Sequence, residues 1–295
     1  MMTGEPNETA EGIEPGEQAR ADVYRLLGAL LASAPGPAML GMLRDIRLQE
    51  SPDGDAMNAA WAALRAAAEQ ADPARLEEEF FSLFIGLGRG EVVPYASFYI
   101  HGFLMEKVLA SLRGELAGLG IERRREVAEP EDHVAALCEV MGMFISGHGL
   151  HLKQSAFFDA YVDSWAGRFF EDLGKAGSAD FYRAVAQLGR EFLAVERYYF
   201  SLPKEPRGRT AQFHNAIRVE GVMKKQQSDY AAGRRNFLRG VVAAGGTTAL
   251  TAAFASRLIA DDTGGTAVRK GAEPVASRGY HETDHIRDYY RTLTM

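Results

Sequence analysis

Residues Leu76–Tyr99 read LEEEFFSLFIGLGRGEVVPYASFY, and Gly86, Gly88 and Gly90 within it superficially resemble a phosphate loop. Such a loop follows a strand and closes on Gly-Lys-Ser/Thr. Here the preceding residues have helical spacing and that ending is missing. The glycines therefore read as a flexible connection between two helices, near 73–86 and 97–118. The three acids Glu77 to Glu79 point in different directions around the first of these and form a solvated face.

On either side the same period continues. From about Gln18 to Leu202 apolar residues recur at helical spacing, with few alternating runs of Val, Ile and Thr. The expected fold is one all-α domain with helices near 18–33, 37–48, 54–70, 73–86, 97–118, 131–150, 154–173 and 178–200. APGP at 34–37, SPDG at 51–54 and AEPED at 128–132 punctuate them. Residues 1–17, acidic with Gly and Pro, read as a solvated disordered tail. SLPKEPRGRT at 201–210 breaks the helical pattern and opens a basic linker over 203–233. A flexible linker of that length spans roughly 30–35 Å, about the width of a small domain. The remainder reads as a largely irregular extension with one or two helices. It comprises a segment at 234–260 and a loose tail at 261–295 that closes with a short helix.

The chain has 295 residues, 46% of them apolar, a net charge of −7 and one cysteine. Between Lys204 and Arg257 ten Lys or Arg face three acids, a local +7, which leaves −14 on the rest. An acidic body excludes a nucleic-acid surface, which needs clustered cations, and suits a basic, apolar partner. A lone Cys138 on an apolar face excludes an internal disulfide and a cysteine-based zinc cluster and reads as a small core residue. With no basic-then-apolar run at the N-terminus, the expected location is the cytoplasm. His148 and His151 share a helix face but lack further ligands, so no metal site is expected.

GRRNFLRGVVAAGGTTALTAAFAS, Gly233–Ser256, has the layout of a twin-arginine export signal: Arg234, Arg235, Phe237, Leu238 and Arg239, then seventeen uncharged residues from Gly240 to Ser256. The uncharged run is too mildly apolar for a good membrane span. The competing reading is an ordinary helix whose arginines are solvated. Placed after a folded domain, an export address cannot work as a leader; it reads as a ligand.

The Leu76–Tyr99 stretch, EPEDH at Glu129–His133, the FF pairs at 157–158 and 169–170 with Trp165 between them, and FYRAVAQLGREFLAVE at Phe181–Glu196 together resemble the TorD/DmsD family of molybdoenzyme maturation chaperones. The resemblance spans about residues 18–202. It implies an all-helical protein that is no catalyst and binds the twin-arginine signal peptide of a molybdenum enzyme's catalytic subunit. No cofactor is implied beyond weak guanine nucleotide binding in some relatives. A homodimer with exchanged helices and at most transient contact with membrane or translocase are also implied. GRRNFLRG and GYHETDHIRDYY resemble a small twin-arginine protein found with formate dehydrogenases, which makes formate dehydrogenase the implied client. The family's PYxSxY element falls on Pro94, Tyr95, Ser97 and Tyr99, and its E-P-x-D-H element on Glu129, Pro130, Asp132 and His133.

The residues allow two roles. A cationic leader with a weakly apolar helix needs a groove with carboxylates at its head and apolar walls beyond. Glu91, Glu129, Glu131 and Asp132 lie in loops where an arginine fork can be gripped through paired oxygens. Equally, Asp132 can cap the helix that starts beside it, and His133 can bridge two segments by hydrogen bonds. For Tyr95, Ser97 and Tyr99 packing weighs more than binding. Two rival functions stand beside the chaperone: a structural accessory subunit of a formate dehydrogenase complex and a membrane-tethered adaptor.

Overall fold

In the computed structural model, residues 15–48, 55–87, 89–102, 106–124, 127–147, 153–202 and 280–282 are described. Among the described residues ten α-helices carry the fold: α1 (Pro15–Ala32), α2 (Pro37–Arg44), α3 (Ala56–Gln70), α4 (Pro73–Phe80), α5 (Ala96–His101), α6 (Glu106–Gly118), α7 (Val134–Ser146), α8 (Gln154–Phe158), α9 (Ser164–Lys175) and α10 (Phe181–Ser201). The all-α expectation holds, and each expected helix over 18–200 has a counterpart. Several boundaries move, and two of the changes alter the plan. Helix α1 begins at Pro15, so Gly16 and Glu17 belong to the body and not to the acidic tail. The single helix expected over 97–118 is two, because Gly102 takes a left-handed φ of 84° and its N–H bonds back to the Phe98 carbonyl at 2.7 Å, closing α5.

Local chemistry sets several starts. Asp55 accepts from Met57 N at 3.0 Å and Asp72 from Arg75 N at 3.1 Å, with Pro73 in the first turn of α4. Wide π-type turns follow α4 at Phe81–Ile85 and join α8 to α9 at Asp159–Asp163. Around the first wide turn the chain reverses. Gly86 at φ +62° donates to the Phe81 carbonyl at 2.7 Å, and a Cβ on Gly90 would lie 2.5 Å from the Leu83 carbonyl oxygen. These glycines are therefore required by close backbone approach.

One hydrophobic core runs through all the helices, with Trp61, Trp165, Phe144, Phe157, Phe169, Phe170 and Phe192 fully enclosed. Helix α1 lies along α7 with Gly28 near the Ala135 carbonyl, and α9 packs on α10 where Gly189 meets the Phe170 ring. Beneath this core a buried ion pair ties α1 to α10. Arg20 donates from Nε and Nη2 to both oxygens of Glu196 at 2.6 and 2.7 Å, while Tyr24 donates to Glu196 at 3.0 Å. The guanidinium also reaches Gln154 of α8 and stacks over Tyr199 at 3.8 Å.

One pair of strands was not foreseen. β1 (Ile121–Arg123) pairs antiparallel with β2 (Tyr280–Glu282). Residues 280–282, read from sequence as part of a loose tail, are thus extended and paired with the body. The rest of the linker, the twin-arginine-like residues Arg234, Arg235, Phe237, Leu238 and Arg239, the remainder of the tail, and His148 and His151 lie outside the described residues.

Candidate functional site

The two motif segments meet at one corner. Tyr95 and His133 form an antiparallel bridge, flanked by Ala96 N to Asp132 O at 3.0 Å and Val134 N to Pro94 O at 2.9 Å. PYASFY and EPEDH are therefore a pair held by backbone, which fixes the start of α5 against the start of α7. Of the candidate residues, Tyr95, Ser97, Glu129, Asp132 and His133 converge here. Glu91 and Tyr99 point to other neighbours.

Asp132 is 2% exposed, and its Oδ2 accepts from Ser97 N at 3.1 Å. The sequence reading placed Asp132 as a cap on the adjoining helix; it caps α5 instead, across the corner. The cap of α7 is His133, whose Nδ1 accepts from Ala135 N at 3.1 Å. An Nδ1 that accepts carries no proton, so the imidazole is neutral with its hydrogen on Nε2. Burial pulls the His133 pKa down to about 4, and Glu129 and Asp132 only partly oppose it. The Tyr95 ring sits edge-on to His133 at 5.1 Å, and its hydroxyl donates to the Glu129 carboxylate. Burial first, and then Glu129, push the Tyr95 phenol well above its ordinary value.

Glu131, expected to face the arginines of a leader, is paired with arginines of the body. Arg113 and Arg123 donate from Nε to its two oxygens at 2.8 and 3.2 Å. Glu91 faces the turn between α9 and α10, where it accepts from Ser178 N at 3.2 Å and from the Ser178 hydroxyl. These bonds hold its carboxyl below the usual range. Tyr99 donates to Asp172 at 2.9 Å, and its carbonyl accepts from Arg168 at 2.7 Å. Burial, then Asp172, raise its phenol. Ser97 is buried, in line with packing.

Glu79, assigned to a solvated face, has a different place. Its carboxylate accepts from Asp180 N, Phe181 N and Tyr182 N at 2.8, 3.3 and 2.9 Å, so it caps α10 from another helix. No side chain within α10's own start makes that bond. The sequence carries no signal for it, because a cap supplied from a hundred residues away follows no spacing rule.

Cys138 is buried in α7 with its thiol pushed up to about 12, which leaves it a core residue. Among the described residues no His, Cys, Asp and Glu cluster is arranged to hold a metal. What the surface does offer is apolar. Of the exposed large hydrophobic side chains among the described residues, Phe81, Ile85 and Leu87 fall in the turn that follows α4, at 43, 54 and 99% exposure, while Ile100 is in α5 and Tyr198 in α10. Sequence periodicity assigned this turn no exposed apolar face. The exposed carboxylates Glu91 and Glu129 belong to the segments that continue from this turn and pair with it.

Comparison with known proteins bears on the same region. Residues 50–171, which contain the corner and the glycine turn, match the family described as nitrate reductase delta subunit. The chain is 27% identical over 201 residues to the chaperone protein TorD of Aliivibrio fischeri, covering 61% of this chain and 93% of that one. It is 29% identical over 136 residues to TorD of Vibrio parahaemolyticus, covering 42% of this chain and 63% of that one. A solved structure described as a redox enzyme maturation protein from Archaeoglobus fulgidus overlays with a TM-score of 0.41 at 19% identity, covering 64% of this chain and 99% of that one.

Proposed function

We propose that this chain is a molybdoenzyme maturation chaperone, like the TorD proteins it resembles, and not a catalyst, and that it recognises a twin-arginine signal peptide in the cytoplasm. The client is the catalytic subunit of a formate dehydrogenase, and the segment around Arg234 and Arg235 is a second, covalently attached ligand for the same surface. One observation supports this most: Phe81, Ile85 and Leu87 are exposed in the turn after α4, and the chain runs on from there to the exposed Glu91 and to Tyr95, which binds the exposed Glu129. An apolar patch with carboxylates at its margin suits a leader with a cationic head and a mildly apolar helix. Asp132, His133 and Tyr95 hold the shape of the corner and do not themselves grip the arginines. Glu129 is the carboxylate with spare acceptor capacity toward solvent.

The test is fluorescence anisotropy with a labelled formate dehydrogenase leader peptide and the full chain. Ile85→Glu and Leu87→Glu, both solvent-facing, should weaken binding at least tenfold while leaving the helical circular dichroism unchanged. Unchanged affinity would remove the patch from the proposal. Replacing Arg234 and Arg235 by Lys keeps the charge and loses the planar fork. Free leader should then bind the full chain more tightly, because the internal competitor is weakened.

A further inference from the structure

We infer that the edge of β1 is a docking site for an extended polypeptide segment, and that the chain's own residues 280–282 close it in cis. Residues 121–123 follow Gly120, whose φ of +67° turns the chain out of α6. Ile121 anchors the strand by burying its side chain, Glu122 faces solvent, and Arg123 is held by Glu131 and by the carbonyls of Val127 and Glu129. The strand is therefore fixed to the body along one side, which leaves its backbone N–H and C=O groups to be satisfied by a neighbour. Among the described residues that neighbour is β2, in the antiparallel register Ile121↔Glu282, Glu122↔His281 and Arg123↔Tyr280.

Main-chain pairing of this kind recognises extended conformation more than side-chain identity. Three residues make a short ladder, and an isolated pair of strands is marginal in water. The pairing attaches the chain to the body a second time, at 280–282, beyond Leu202 at the end of α10, and a chain attached at two points strays less than one attached at a single point. This deepens the cis reading above but stands on the strand pairing alone.

Amide hydrogen exchange read at residues 121–123 tests it without a signal peptide. In the full chain these amides should be protected. A chain ending at Ser277 should lose at least tenfold of that protection, while α10 exchanges as before. A peptide covering residues 276–290, added to the shortened chain, should restore it. His281→Pro and Glu282→Pro, tested separately, should divide: adjacent residues face opposite edges, so one of the two loses a ladder bond. Protection at 121–123 that survives both the truncation and both prolines would overturn the proposal. Protection that rises with protein concentration together with a dimer mass would assign the strand to a second copy and overturn closure in cis.

Discussion

Protonating His133 would remove the acceptor that starts α7, and the residue's titration states how much the corner depends on it. Unfolded, His133 titrates near 6.5, and folded near 4. Between those values the unfolded chain binds the extra proton, so stability is fully present above about pH 6.5 and falls as pH drops toward 4. The loss is on the order of 3 kcal/mol at most. His133→Asn keeps a capping oxygen without the titration, and its urea midpoint should change less between pH 7 and pH 5 than that of the unaltered chain. Asp132 acts at the same scale. Asp132→Ala leaves the buried Ser97 N–H without its acceptor and should cost roughly 1–3 kcal/mol in urea unfolding, with Asp132→Asn costing less. Both residues were legible as important from the EPEDH spacing. Which helix each serves was not, because a cap reaching across a loop pair depends on how the two segments register.

Between elements, the Arg20–Glu196 pair joins α1, α8 and α10 and is buried at both ends. Removing one member leaves the other charged in the core. Arg20→Met or Glu196→Leu alone should cost about 3–5 kcal/mol, while the double substitution should recover most of that loss, as buried pairs replaced together often do. Paired thermal melts would read the difference. Gly189 marks the second element-level constraint. Alanine is ordinarily worth about 1 kcal/mol over glycine inside a helix. A Cβ at 189 would meet Phe170 Cε1 at 2.3 Å, so Gly189→Ala should instead destabilise by roughly 1–3 kcal/mol. Combining it with Phe170→Leu should restore part of the loss. The FYRAVAQLGREFLAVE periodicity gives the helix and its buried face. It does not give the partner that forbids a methyl group at 189.

For the molecule as a whole, charge separation is the governing feature: a chain net of −7 in which residues 204–257 carry +7. If those residues compete for the patch near Phe81 and Leu87, removing 203–295 should tighten binding of a free leader. With millimolar effective concentration and micromolar affinity the gain should be about 10²–10³-fold. The gain should shrink as salt is raised, because exposed charges are screened within about 8–10 Å near physiological ionic strength. Titrations at 50 and 500 mM salt on both chain lengths would measure it. No described helix is long and apolar enough to cross a membrane.

Helical period, prolines and aspartates at helix starts, and the acidic-to-basic shift after residue 202 were all local quantities, and local rules of backbone geometry and burial are enough to read them. They determined the all-α class, the order of helices and the two motif segments that become the corner. Tertiary structure alone decided that Glu131 is occupied by Arg113 and Arg123, that Glu79 caps α10 and Glu91 holds the turn before it, that the turn at 81–87 leaves its apolar side chains in water, and that residues 280–282 pair with β1. Each of these matches a group to a partner far along the chain, and such a match follows from the packing of whole helices, which no spacing rule in the sequence encodes.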